Sequence, residues 1–266
     1  MTTHKAKKSL GQHFLRSASA LRSIVTSANL RSGETVLEIG PGEGVLTRAL
    51  LETGAHVIAI EKDRDLIPIL TETFSAEIKK GTLTLIEDDV LKFVPEFHKL
   101  TAGSYKLVAN IPYYITGAIF EKFLTANAYP SCMVVLIQKE VATRIVARDG
   151  KESLLSISVK AFGSPRITAK VPASAFRPAP KVDSAVLAVY DVSHTTLSNF
   201  TDDKFESFFK VVRAGFAHKR KLLVRNLEAV TTKTNAVEAC TSVGLSPTVR
   251  AEDVSLADWI KLASRL

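Results

Sequence analysis

The stretch TVLEIGPGEG, residues 35–44, decides the fold. Thr35–Ile39 is a short run rich in apolar residues and ends on three closely spaced glycines, Gly40, Gly42 and Gly44. Glycine lets a backbone turn sharply and approach a ligand closely. Val45–Glu52 then carries helical spacing. A strand, a glycine turn and a helix in that order open an α/β sheet that binds a nucleotide or nucleoside at the turn.

The alternation continues downstream. His56–Ile60 is a second strand, followed by a helical stretch over 63–78. Thr82–Ile86 and Lys106–Ala109 are the third and fourth strands. Gly117–Ala126 is a helix, and Met133–Ile137 is a fifth strand. Short apolar strands separated by helices predict an α/β, Rossmann-like fold with a mostly parallel central sheet. Such sheets bind ligands at the carboxyl ends of their strands. Two helices are expected over 139–162. Pro165–Val171 and Ser184–Tyr190 read as strands around a loop stiffened by Pro172, Pro178 and Pro180. Beyond Asp191 the chain turns polar, then helical to Leu266, with loop signals at Gly244 and Pro247. The domain reading is a basic N-terminal arm (1–18), a catalytic α/β domain (19–191), a linker (192–202) and a small all-helical domain (203–266).

Composition narrows the function classes. The 266 residues are 46% hydrophobic and 23% charged, which suits a packed globular protein rather than a disordered one. Cys132 and Cys240 read as buried free thiols in a reducing compartment. No Cys/His spacing matches a zinc site and the six histidines are scattered, so no metal is expected. No apolar run approaches the roughly 18 residues of a membrane span, and the N-terminus lacks an apolar signal region. The expected location is cytoplasmic, and the expected state is a monomer.

The net charge is +8 and it is segregated. Windows 1–33, 153–182 and 207–227 contain no acidic residue yet hold 17 of the 35 Lys and Arg. The remainder carries 18 basic residues against 27 acidic ones. Positive charge gathered in this way is the footprint of a polyanion, and points to nucleic acid.

Four motifs carry chemistry. Glu61 ends the second strand, about 20 residues past the glycines, where a carboxylate can accept from both hydroxyls of a ribose. A dinucleotide shares that demand. The tight G-x-G-x-G spacing, with Val45 where a third dinucleotide glycine would stand, favours S-adenosylmethionine over NAD. Asp89 follows the third strand and can accept from the adenine amine of a cofactor, with Asp88 competing for that role. Asn110-Ile111-Pro112-Tyr113 follows the fourth strand. The Asn110 side-chain oxygen and the Ile111 carbonyl can each accept from a substrate adenine amine, Pro112 stiffens the turn, and Tyr113 offers a face on which the base stacks. Phe176, on the proline-rigid basic loop 174–184, is placed to clamp the other face of a flipped-out base. In the tail, the basic segment 214–226 joins two helices and reads as a phosphate-binding stripe.

At these motifs the sequence resembles the ribosomal RNA adenine dimethyltransferases, and within them the bacterial small-subunit enzymes. The matching segments are KSLGQHFL (8–15), the EIGPGEG loop, IEKD (60–63), Asp88-Asp89, ANIPYY (109–114), LIQKEV (136–141), FRPAPKVDSAV (176–186) and HKRKLLVRNL (218–227). The resemblance implies a class I methyltransferase fold with S-adenosylmethionine as donor. It implies dimethylation of the exocyclic amines of two adjacent adenosines near the 3′ end of 16S rRNA, a role in small-subunit biogenesis, and rRNA binding by the helical domain. Carried over by motif, it places cofactor binding on His13, Leu15, Gly40, Glu61, Asp89 and Asn110, and the grip on the target base on Asn110, Tyr113 and Phe176. His13 stands where relatives often have asparagine. Three rival readings are an Erm-type large-subunit methylase, a non-catalytic nucleic-acid-binding factor of the same fold, and an NAD-dependent dehydrogenase. The FRPAPKVDSAV loop, the intact NIPY and the glycine spacing argue against them in turn.

Charge reversal at Lys219, Arg220 and Lys221 is expected to weaken subunit binding and to flatten its salt dependence. The log–log slope should fall by about 0.7–0.9 for each phosphate that the variant no longer neutralises, as read from binding titrations across a salt series. An unchanged slope would mean that the tail touches no phosphate.

Overall fold

In the computed structural model the described residues are 7, 10–198, 200 and 205–266. Residues 1–6, 8 and 9 of the expected arm lie outside them, as do 199 and 201–204 at the expected linker and the start of the helical domain.

The chain divides into two compact units. One takes residues up to Ala142 together with Ser164–Val192, and the other takes Thr143–Gly163 and Ser193–Leu266.

The first unit opens with β1 (Phe14–Leu15) and α1 (Ala18–Ala28), whose first turn is capped by the Ser17 hydroxyl accepting from the Ala20 amide at 3.3 Å. Then follow β2 (Thr35–Ile39), α2 (Val45–Leu51), β3 (His56–Glu61), α3 (Leu66–Thr73), α4 (Ser75–Lys80), β4 (Leu83–Glu87), β5 (Tyr105–Asn110), α5 (Thr116–Thr125) and β6 (Cys132–Gln138). The helix expected over 63–78 is broken at Phe74. That ring is buried and packs against the glycine turn: a Cβ on Gly44 would lie 2.4 Å from Phe74 Cε2. Gly44 also has φ +81, which a side chain disfavours. Only glycine meets both demands, so the turn and the helix break form one piece of packing.

Seven strands form the sheet, in the order β4-β3-β2-β5-β6-β9-β7. β7 (Ser164–Val171) and β9 (Ser184–Tyr190) come from the chain's return after 143–163. The first five strands are parallel, while β9 runs antiparallel to both β6 and β7. β6 and β9 are buried along nearly their whole length, as strands covered on both faces must be. The chain leaves β2 towards β3 on one side and returns to β5 on the other. The carboxyl ends of β2 and β5 therefore flank the switch point where such sheets bind ligands. A separate two-stranded ribbon pairs β1 with β8 (Phe176–Arg177), Leu15 opposite Phe176.

The second unit contains α7 (Leu154–Lys160), α8 (Glu206–Phe216), α9 (Leu223–Leu227), α10 (Lys233–Ser242) and α11 (Leu256–Ala263), and takes about half of α6 (Lys139–Val146). Residues 143–163, read from sequence as part of the 19–191 domain, thus cluster with the tail. Phe162 supplies the reason, because its ring meets Phe205 edge-on at 5.1 Å and Phe209 at 5.9 Å. The Glu152 amide also donates to the Glu252 carbonyl at 2.8 Å. The basic residues 218–221 are exposed in the turn between α8 and α9. Beneath that turn the buried Asn226 amide donates to the carbonyls of Gly215 at 2.6 Å and His218 at 3.1 Å. Trp259 is buried against Gly215.

A Cβ on Gly215 would lie 2.3 Å from Trp259 Cη2. Gly215→Ala is therefore expected to destabilise by about 1–3 kcal/mol through overpacking. Denaturant unfolding followed by fluorescence checks this directly, because Trp259 is the one tryptophan in the sequence. A midpoint equal to wild type would mean that α8 and α11 part at no cost.

Candidate active site at the carboxyl ends of the parallel strands

A cavity opens where β2, β3, β4 and β5 end. It is lined by His13, Leu15, Gly40, Glu61, Asp89, Asn110 and Tyr113, which are seven of the eight residues singled out from sequence. The eighth, Phe176, is not brought to it. Phe176 is paired with Leu15, and both are buried in the core with Val171 and Ala175. The loop that carries Phe176 reaches the cavity differently. The Pro178 carbonyl lies 2.7 Å from His13 Nδ1 and accepts from it, since a carbonyl cannot donate.

Glu61 is held by two backbone amides. One carboxylate oxygen accepts from the Asp63 amide at 2.8 Å and the other from the Gly42 amide at 3.1 Å. The side chain is thereby fixed across the glycine turn. Burial pushes its pKa up, and those two amides hold part of the rise back. Each oxygen retains a lone pair for an incoming hydroxyl.

Asp89 is already engaged. Its Oδ2 accepts from Lys62 Nζ at 2.8 Å and its Oδ1 from the Leu91 amide at 3.0 Å. The Lys62 ammonium is the main cause of a pKa held below the usual carboxylate range. Asp88 instead turns one oxygen to the Asp89 amide at 2.7 Å, so it shapes the turn. Lys62 escaped the sequence reading because a lysine one residue past a strand reads as solvated surface.

Asn110 stands at the end of β5. Its NH₂ donates to the His13 carbonyl at 3.1 Å, which leaves Oδ1 as an acceptor. The Tyr113 hydroxyl pairs with the buried Ser184 hydroxyl at 2.7 Å, and its ring stacks with His13 at 5.9 Å. The 110–113 turn and the arm therefore fix one another.

The arm is a wall of this cavity. Besides the β1–β8 ribbon, the Arg16 amide donates to the Ala175 carbonyl at 2.7 Å, and the Arg16 guanidinium pairs with Glu43 of the glycine turn at 2.6 Å. Lys7 Nζ lies 2.5 Å from Asp63 and 2.7 Å from Asp65, and Gln12 donates to Asp63 at 2.8 Å. Burial opposes ionisation of Asp63, yet Lys7 and Gln12 hold its carboxyl below the usual range. Sequence reading missed this cluster, because its partners are more than 50 residues apart.

The family described as ribosomal RNA adenine dimethylase matches residues 3–266. The chain belongs to that family. The ribosomal RNA small subunit methyltransferase A of Dehalococcoides mccartyi is 43% identical over 264 residues, covering 98% of this chain and 88% of the relative. The protein of the same name from Caulobacter vibrioides is 38% identical, covering 97% and 96%. Among solved structures, a dimethyladenosine transferase from Plasmodium falciparum superposes with a TM-score of 0.75 at 27% identity, covering 94% of this chain and 96% of that one. The 23S rRNA methyltransferase ErmE gives 0.75 at 26% identity, with 95% and 99% covered. The structure thus matches methyltransferases of this type from end to end.

Glu38, on β2 just before the glycine turn, is fully buried. Burial pushes its pKa up to about 8; nearby Thr47 offsets this only in part, and the Glu61 charge adds to it. The carboxyl is neutral when folded and ionised when unfolded between roughly pH 4.5 and 8, so the folded state binds the extra proton there. Its stabilising contribution is complete below that window and is lost as pH rises through it. Wild type should lose up to about 1.4 kcal/mol per pH unit relative to Glu38→Gln across the window. Parallel stability curves from denaturant unfolding at several pH values would contradict this account.

Proposed function

We propose that the protein transfers methyl groups from S-adenosylmethionine to the N6 amines of two adjacent adenosines near the 3′ end of 16S rRNA in the small ribosomal subunit, and acts in the biogenesis of that subunit. Family membership supports methylation of ribosomal RNA adenine. The observation that carries the finer reading is Asn110, whose amide is committed to the arm while its Oδ1 stands as an acceptor at the cavity wall.

The cavity suits the donor. Glu61 presents two anchored oxygens that suit a ribose diol, and Asp89 presents a carboxylate that already holds a cationic donor at the position proposed for an adenine amine. Gly40 leaves room at the wall: a Cβ there would come within 4.0 Å of the Asn110 carbonyl. His13 and Leu15 close the site from the arm side. S-adenosylmethionine, when bound, supplies an electrophilic methyl group on a good leaving group. The residues of the chain have to make the amine reactive and to aim it.

An adenine amine is a weak nucleophile because its lone pair is delocalised into the ring. Accepting one N–H at Asn110 Oδ1 and the other at the Ile111 carbonyl draws the nitrogen towards tetrahedral geometry and turns its lone pair towards the methyl carbon. Tyr113, pinned through Ser184, holds the base by one face. Catalysis is positioning, with the displaced proton passing to solvent. The basic tail binds phosphates of the RNA backbone.

The small-subunit reading is favoured over the Erm-type one by the names and identities of the sequence relatives, 38–43% against 26% for ErmE. Labelled-methyl transfer to purified unmethylated small and large subunits, with the sites mapped, tests it. Label confined to the large subunit would overturn it. Asn110→Ala is expected to lower kcat by roughly 10²–10³-fold, the effect of deleting one preorganised polar group that faces a transition state. Cofactor affinity should change only a few-fold by equilibrium titration. Wild-type turnover in that variant would sink the mechanism.

A further inference from the structure

Tyr113 and Tyr114 are neighbours with opposite fates. Tyr113 is half-buried and pinned at both ends, its hydroxyl by Ser184 and its ring by His13. Tyr114 is 65% exposed, yet it also lines the cavity. Both sit in a 3₁₀ turn, Tyr113–Ile115, entered through Pro112, whose ring fixes φ. The exposed ring is therefore presented on rigid backbone. One edge rests on the arm: a Cβ on Gly11 would lie 3.3 Å from Tyr114 Cε1. Lys62 lines the same cavity.

A supported aromatic face, open to solvent and with a cation lining the same cavity, is the arrangement that holds a nucleobase and its phosphate. Tyr113 already serves the base inside the cavity. A base drawn into that cavity has lost its stacking on its neighbour in the strand, and the neighbour is left with one bare face at the rim. We propose that Tyr114 is a second stacking platform, for the base adjoining the target. The enzyme would then grip two consecutive nucleotides at once, which suits a substrate modified at adjacent positions. This rests on the RNA reading above.

The test uses the full-length protein and unmethylated small subunits, with Tyr114→Ala, Tyr114→Leu, Tyr114→Phe and Tyr114→Trp. Leucine fills the space beside Gly11 but offers no π-face, so it separates stacking from mere support of the arm. KM for the subunit is expected to rise roughly tenfold in the alanine and leucine variants and to stay within about twofold of wild type in phenylalanine and tryptophan. The loss should fall on KM rather than kcat, with cofactor affinity unchanged by titration. A leucine variant with wild-type KM would overturn the platform, as would a loss that falls on cofactor affinity instead. Failure of the wild-type protein itself to label the subunits would remove the RNA reading, and is distinguished by needing no variant at all.

Discussion

Parallel pairing on both edges of β2 is the constraint from which the rest follows. Thr35–Ile39 is bonded to His56–Ile60 on one side and to Tyr105–Ala109 on the other, five residues in register on each. That pairing brings the ends of three strands to one place. Gly40–Gly44, Glu61 and Asn110 are far apart in sequence and share a cavity because their strands stop together. A slip of one residue would turn each strand's side chains to the opposite face. The site therefore has the precision of a sheet rather than that of a loop.

The arm completes what the sheet begins. Strand ends supply the floor and one side. The opposite side is the backbone of residues 10–15, attached through a two-residue ribbon, a carbonyl accepting from Asn110, and ionic pairs at Lys7 and Arg16. Few of these attachments are buried deeply enough to be strong alone, since exposed ion pairs are worth less than about 1 kcal/mol each. Their number and their spread along the arm set its position.

Much of this was legible in the sequence. The glycine turn, Glu61 and NIPY each lie at the end of a short apolar run, and periodicity places such runs well. Gly40, Glu61, Asp89, Asn110 and Tyr113 meet in one cavity for that reason, whereas His13 and Leu15 join them from the arm, where only the family resemblance pointed to them. Phe176 does not line the cavity, because an aromatic read as lying on a loop belongs to a two-residue strand and is buried in the core. No local pattern announces so short a pairing across some 160 residues. The break at Phe74 was invisible likewise, since its cause is the fit of a ring against Gly44. That residues 143–163 cluster with the tail is not carried by periodicity, which gives a helix its apolar face and not the partner that covers it. Phe162 chooses that partner.

The pairing of Lys62 with Asp89 gives the cavity an internal occupant of its own. A carboxylate that waits for a ligand donor is not bare here; it is neutralised by a tethered ammonium. On the reading proposed above, an adenine amine that reaches Asp89 exchanges with the Lys62 ammonium or shares the carboxylate with it. What Asp89 adds to binding on that reading is the difference between the two interactions, and so is smaller than the new one alone.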